Sequence, residues 1–309
     1  MTLEPSRPHL PLGDNLRGIL WMLFSVAAFT TMGLVIKVIS HQVPLAVILL
    51  FRQGVVLALL VPWMLRTDRR QLRTRRFGLH ALRAGLAVLS FACFAYALGK
   101  LFLADAMTLT YTNPLWSILV GVLILGEPVQ VRRWTATGAG FVGVLFVVKP
   151  TGAVDPAMLA ALASAVLASL SMAVIKRLTT TESMHQIILY LSLIGTAVAV
   201  GPAIYFWRTP GLAQAAWLVA MGALAYVGQI GLARAVALAE ITVVAPMDFL
   251  RMPFAAVLGL VLFAEVPDVW TVLGIIVIGL ASAYIAHREA VLRREPGHGA
   301  GGAPPVADA

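Results

Sequence analysis

Long apolar runs separated by short polar breaks dominate the chain, and the length of the runs is what predicts the elements. About 20 helical residues cross a hydrocarbon core of about 30 Å. Runs of that order occupy 18–39, 44–65, 79–99, 106–126, 134–148, 157–175, 185–207, 213–233, 241–263 and 269–286. Ten spanning helices are therefore predicted, and the chain is expected to be all-α and polytopic. The shortest run, 134–148, is flanked by Arg133 and Lys149, whose long side chains snorkel toward the headgroups and extend its reach. The strict polar and apolar alternation of a membrane β-barrel strand does not occur.

Composition strengthens this picture. Of 309 residues, 60% are hydrophobic and 12% charged, whereas about a quarter of a soluble domain is charged. A formal charge of +9 raises nucleic acid as a partner, but the positions of the cations redirect it. Arg7, Arg17, the run from Arg66 to Arg83, Arg132, Arg133, Lys176, Arg177, Arg234, Arg288, Arg293 and Arg294 fall on one side of the predicted membrane. Lys37, Lys100, Lys149 and Arg208 fall on the other, and Arg52 and Arg251 lie within spans. The positive-inside rule then puts both termini in the cytoplasm, as in a bacterial inner-membrane protein. The segment RTDRRQLRTRR has no interleaved aromatic residue, so it reads as a topology anchor on anionic lipid and not as a nucleic-acid site. Cys93 is the only cysteine, which rules out an intramolecular disulfide. The first run is too long for a cleaved signal and leads directly into a second span, so it reads as a mature helix.

The sequence repeats itself. GEPVQVRRWTATGAGFVG, 126–143, aligns with AEVPDVWTVLGIIVIG, 264–279, so that Glu127 pairs with Glu265, Trp134 with Trp270, Thr135 with Thr271, Gly138 with Gly274 and Gly143 with Gly279. Upstream, Val35-Ile36-Lys37 recurs as Val174-Ile175-Lys176 at the end of the first helix of each half. Each half holds five spans, and because five is odd the second half starts from the opposite side. The expected architecture is two inverted five-helix repeats, which suits a carrier that exchanges conformations between its halves.

These motifs resemble the drug/metabolite transporter superfamily, specifically its EamA type, over nearly the whole chain. LADAMTLTYTNPLWSILVGVLILGEPV is similar to the family's fourth helix and following loop, and LAEITVVAPMDFLRMPFAAVLGLVLFAEVPDVWTVLG is similar to the corresponding second-half region. The resemblance implies ten helices in two inverted halves, a central cavity lined mainly by helices 1, 3, 4, 6, 8 and 9, and alternating access for a small organic solute. It leaves the solute open.

Within that frame, Asp248 and Arg251 are the notable pair. The run 241–263 puts Arg251 about ten residues into the ninth span, or about 15 Å along it, and spacing i, i+3 places both charges on one face. An internal ion pair and a solute contact are both open readings, since a charge at that depth is costly and is seldom left facing lipid. Arg52 is the other deep charge and reads as a tie between helices. Pro114, Pro246 and Pro253 remove helical donors beside the same region and kink or open it. Tyr111, Asn113 and Trp116, with Tyr96 on the third span and Tyr226 and Gln229 on the eighth, are candidates to line the same chamber.

Glu127 and Glu265 close the fourth and ninth spans, where negative charge opposes the helix dipole, so they read as caps for the helices that follow, with proton coupling or gating as the alternative. Asp105 reads as a loop cap. GAGFVG, 138–143, fits the dinucleotide pattern GxGxxG, but it lies inside an apolar helix where glycines serve close helix contact. The six histidines fall near helix ends or in tails, so no intramembrane metal cluster, and no cofactor, is expected.

The organisation expected is a cytoplasmic segment 1–17, a first repeat 18–149, a linker 150–156, a second repeat 157–287 and a disordered tail 288–309. The function expected is secondary transport of a small polar or amphipathic metabolite, not catalysis. A non-transporting receptor or anchor is the alternative, and a membrane-embedded enzyme is a more distant one. The partners expected are a small-molecule solute and the lipid bilayer, with a homodimer left open and nucleic acid excluded.

Overall fold

The computed structural model describes residues 12–67, 72–125, 131–148, 155–238 and 245–292, and every regular element among them is helical. The first half contains α1 (Leu12–Ile39), α2 (Leu45–Arg66), α3 (Phe77–Leu98), α4 (Leu103–Thr110), α5 (Asn113–Leu125) and α6 (Val131–Val148). The second half contains α7 (Pro156–Leu178), α8 (Met184–Tyr205), α9 (Leu212–Leu238), a 3-10 turn (Ala245–Leu250), α10 (Arg251–Phe263) and α11 (Val269–Leu292). Glu127, Lys149, most of the expected linker and most of the tail lie outside the described residues, as does the side chain of Pro246.

Six helices, α1, α2, α3, α7, α8 and α9, are each long and apolar enough to cross a membrane, while α6 and α11 carry the shorter apolar stretches Trp134–Val148 and Val269–Ile285. The other two predicted spans differ from expectation. Both are discontinuous: the fourth becomes α4 and α5, and the ninth becomes the 3-10 turn followed by α10. Proline supplies the reason. Inside a continuous helix, Pro114 would collide with the carbonyl of Thr110, and Pro253 with that of Phe249. Each helix instead restarts so that its proline falls in the first turn, where an amide donor is not required. Arg251 consequently heads α10 and is not buried midway along a helix.

Packing follows the two halves. α1 lies along α9, α3 along α7, α2 along α8, and α6 along α11. Two of the three glycines of the GAGFVG stretch act in helix contact: a Cβ on Gly140 would meet Leu115 and one on Gly143 would meet Ile278, whereas one on Gly138 would meet nothing within 4 Å. Gly274 of α11 is tighter, because a Cβ there would stand 2.3 Å from a Val147 methyl and 3.0 Å from the Gly143 carbonyl. Gly274→Ala is therefore expected to prise α6 from α11 and destabilise the fold by about 1–3 kcal/mol, read as a lower melting temperature in detergent.

Large apolar side chains remain on the outside, with Ile204 at 70%, Leu280 at 68% and Val261 at 71% exposure. Water does not tolerate such a surface on a monomer, so the protein is an integral membrane protein. The end of the basic segment, 73–76, is fixed at one end of α8. Thr74 donates from its amide to Tyr190 Oη at 3.2 Å and from its hydroxyl to Glu182 at 2.7 Å, while Gln186 Nε2 donates to the Arg73 carbonyl at 3.2 Å. That clamp presents Arg73, Arg75 and Arg76 around a cavity of about 680 Å³ at the helix ends, a position suited to headgroups.

Candidate functional site

Arg251 is the centre of the site. Its side chain is 9% exposed and that of Asp248 is 32%, so the guanidinium is nearly enclosed while the carboxylate reaches open space. Arg251 pairs with Asp248 and donates to the Tyr111 hydroxyl. Its guanidinium carbon also lies 4.4 Å from the Phe29 ring centroid and 5.2 Å from that of Tyr111. A cation held between two aromatic faces gains attraction that strengthens as water is excluded. The cluster draws on α1, the α4–α5 break and the second half together.

A guanidinium at the first residue of a helix meets the positive end of the dipole. Asp248, in the turn just ahead, offsets both charges. The guanidinium, nearly enclosed between two rings and one carboxylate, is the group in this cluster that attracts acceptors and anions.

The two breaks correspond. Asn113 lies fourteen residues before Glu127, and Arg251 lies fourteen before Glu265. Each opens a helix of thirteen residues, α5 and α10. Asn113 is held by α7: Ser169 Oγ reaches its Oδ1 at 2.7 Å and its carbonyl at 3.0 Å, and Ser117 Oγ reaches the same Oδ1 at 3.1 Å. So the head residue of α5 binds the first helix of the second half, and the head residue of α10 binds Phe29 on the first helix of the first half.

The remaining candidates divide. Tyr111 is in the cluster. Trp116 turns its indole toward Thr112 Oγ1 at 3.2 Å and packs edge-on against Phe141, so it braces α5. Tyr226 and Gln229 are half-buried on α9, where it is the nearby Gly228, not they, that lies against the Phe29 ring, a Cβ there standing 3.1 Å from it. Tyr96 stands apart, exposed on α3, with no bond to the cluster among the described residues. Arg52 stacks over Phe91 at 4.2 Å and donates to Gln53 at 3.4 Å, a tie from α2 to α3. Arg83, counted above with the charges of one membrane face, is buried in α3 and donates to the Ile187 carbonyl. Phe29 was not singled out from sequence, because one aromatic residue in an apolar run carries no distinguishing signal.

Glu265 does cap a helix, but a different one from that expected. Thr271 N donates to Asp268 at 2.8 Å, so Asp268 caps α11. Glu265 instead accepts from Leu103 N at 2.7 Å, capping α4, and pairs with Lys37 Nζ at 2.6 Å. Asp105, inside the first turn of α4 and not in a loop, accepts from the Thr271 hydroxyl at 2.7 Å. Among the described residues, no group of three or more His, Cys, Asp or Glu side chains suits a metal ion.

An apolar helical bundle whose charged centre is built from two broken helices has the architecture of a membrane transporter. The chain belongs to the EamA-like transporter family, whose profile matches residues 16–149 and again residues 155–286. It is 31% identical to a riboflavin transporter of Vibrio cholerae over 89% of this chain and 94% of that protein. It is 26% identical to an S-adenosylmethionine uptake transporter of Rickettsia prowazekii, covering 90% and 95%, and 28% identical to a pseudopaline exporter of Pseudomonas aeruginosa, covering 85% and 94%. A solved crystal structure shares the fold, with a TM-score of 0.64 at 17% identity over 90% of this chain and 99% of the other.

Proposed function

We propose that this protein is a secondary transporter that moves a small polar or amphipathic metabolite across the bacterial inner membrane by alternating access. Two inverted repeats, 18–149 and 157–287, form the halves, and both termini are cytoplasmic. The observation that carries this reading is the pair of thirteen-residue helices that begin at equivalent positions, Asn113 and Arg251, each held by the first helix of the opposite half. The helix pairings α1–α9, α3–α7, α2–α8 and α6–α11 also map onto themselves when the halves are exchanged, as a two-fold relation requires. Half-helix starts at a repeat interface are where such carriers hold polar groups of their solutes.

Arg251 favours a solute that presents acceptors, a carboxylate first among them. Phe29 and Tyr111 favour a flat or apolar portion beside it. Relatives named for riboflavin, S-adenosylmethionine and pseudopaline make riboflavin and S-adenosylmethionine sensible first probes. A metabolite library screened by thermal shift on the detergent-solubilised protein is expected to give a small set of stabilising solutes, and the same solutes are expected to be taken up unchanged by proteoliposomes. Saturable binding without flux would favour the receptor reading, and a chemically altered solute would favour the enzyme reading.

A further inference from the structure

The cavity framed by Arg73, Arg75 and Arg76 is a built feature and not a loose basic loop. It encloses about 680 Å³ between Trp63 at the end of α2, the three arginines, and the turn from α7 into α8 that carries Glu182, Ser183 and Gln186. Both halves of the chain thus supply walls. Thr74 pins the backbone between the arginines: besides its bonds to Tyr190 and Glu182, its hydroxyl accepts from the Arg76 amide at 2.9 Å. Arg76 Nη1 donates to the Arg177 carbonyl at 3.1 Å, a second tie to the end of α7.

The polar groups of the wall are already engaged, except for two guanidinium groups. Ser183 Oγ accepts from the Gln186 amide at 3.2 Å, and Gln186 Oε1 accepts from the Ser183 amide at 3.0 Å. Gln186 Nε2 serves the Arg73 carbonyl, and Glu182 accepts from the Thr74 hydroxyl. The side chains of Arg73 and Arg75 are exposed and have no hydrogen-bonded or ionic partner among the described residues. Among the described residues that line the cavity, three arginines stand against one carboxylate, Glu182. That excess makes the cavity an anion site, and the forked donors of arginine match phosphate oxygens.

The surroundings say which kind of phosphate. Trp63 stacks on His185 with ring centroids 4.9 Å apart and planes 19° from parallel, a flat amphipathic wall at the helix ends, where tryptophan meets headgroups. Apolar side chains continue outward from it. Leu65, two residues past Trp63, is 82% exposed, and Phe77, next to Arg76, is 58% exposed. Leu59 and Val61 extend this surface along α2, and Leu82 extends it along α3. A soluble anion would use the guanidinium groups alone, whereas a phospholipid also covers the hydrocarbon beside them.

We propose that this cavity is a specific site for one acidic phospholipid, with the headgroup phosphate among Arg73, Arg75 and Arg76 and the acyl chains along α2 and α3. Because the walls come from both halves, an occupied site joins the α2–α3 segment to the α7–α8 turn and stabilises the folded protein. Diffuse attraction of a basic loop to an anionic surface needs neither a cavity nor a pinned backbone. Occupancy requires no solute and no transport cycle, so its test is independent of the transport reading.

Full-length protein in neutral detergent, titrated with phosphatidylglycerol, is expected to melt at a higher temperature in a saturable manner, since a ligand of the folded state stabilises it. Phosphatidylcholine, which has no net charge, and glycerol 3-phosphate, which has no chains, are expected to leave melting nearly unchanged. Arg73→Gln with Arg75→Gln is expected to raise the half-saturating phosphatidylglycerol fraction about twentyfold, or about fivefold for each cation lost beside a charged lipid. Arg66→Gln with Arg177→Gln removes two exposed cations that do not line the cavity and is expected to leave that fraction nearly unchanged. Equal loss in the two double variants would reduce the interaction to diffuse charge and overturn the site, as would a wild type that phosphatidylglycerol does not stabilise. A shift from glycerol 3-phosphate as large as that from the phospholipid would assign the cavity to a soluble anion and overturn the site equally. Should Arg73→Gln with Arg75→Gln fail to fold, Glu182→Gln decides. It keeps an acceptor for Thr74 and removes the opposing charge, so phosphatidylglycerol is expected to bind about fivefold tighter. Unchanged or weaker binding would overturn the proposal.

Discussion

Arg251→Ala is expected to weaken binding of carboxylate-bearing solutes by about ten- to a hundred-and-fifty-fold, the loss of one charge-assisted hydrogen bond at about 1.5–3 kcal/mol. Arg251 is the one cation in the cluster of Tyr111, Phe29 and Asp248 described above, and it lies at the first residue of α10. Removing it takes away the forked donor that matches a carboxylate. Arg251→Lys is expected to fall between wild type and alanine, because an ammonium keeps the charge and loses the fork. Both changes also release Tyr111 and uncover the Phe29 ring, so melting temperature falls with affinity. The specific readout is therefore the ratio of affinities for a carboxylated solute and its neutral amide, measured by solute-induced thermal shift. Equal losses for both would assign Arg251 to structure alone. Unchanged affinity for every carboxylated solute, with neutral ones still transported, would remove it from the binding site.

Much of this arrangement was legible in the sequence, for physical reasons that also mark where legibility stopped. Span length is set by bilayer thickness, so α1, α2, α3, α7, α8 and α9 follow from apolar runs alone. A charge inside such a run must find protein or water, which is why Arg251 and Arg52 stood out before their partners were known. The breaks ahead of Asn113 and Arg251 left no mark in hydropathy, because TLTYTNP and APMDFLRMP remain part of largely apolar stretches and only the prolines hint at a restart. Long-range pairing was the other gap. Lys37 and Glu265 each belong to a repeated motif, but nothing local shows that the lysine of one half meets the glutamate of the other. Caps are local by habit, so Glu265 reads as a cap for the next helix, but the structure gives that task to Asp268. Tyr96 was placed in the chamber by span depth alone, which fixes height in the membrane and leaves azimuth free.

Asp248→Asn should move selectivity in the opposite sense from Arg251→Ala. In the wild type, an anionic solute reaching Arg251 competes with the Asp248 carboxylate already paired to it. Asparagine keeps an acceptor of the same shape and removes the competing charge. Affinity for solutes carrying only a carboxylate is then expected to rise about tenfold, equivalent to about 1.4 kcal/mol. Stability falls at the same time, since Arg251 at the head of α10 loses the charge that offsets both its own and the helix dipole. Zwitterionic solutes distinguish two roles for Asp248. Its side chain is the more exposed of the pair, so an ammonium group on the solute has an anionic partner within the same site. If Asp248 takes that ammonium, Asp248→Asn weakens amino-acid-like solutes while it tightens simple carboxylates, and the two affinities diverge. If both classes tighten together, Asp248 acts only as a counter-ion that the solute displaces. Should both weaken by the same factor while the melting temperature collapses, the pair holds the α10 start in place and the solute is recognised elsewhere.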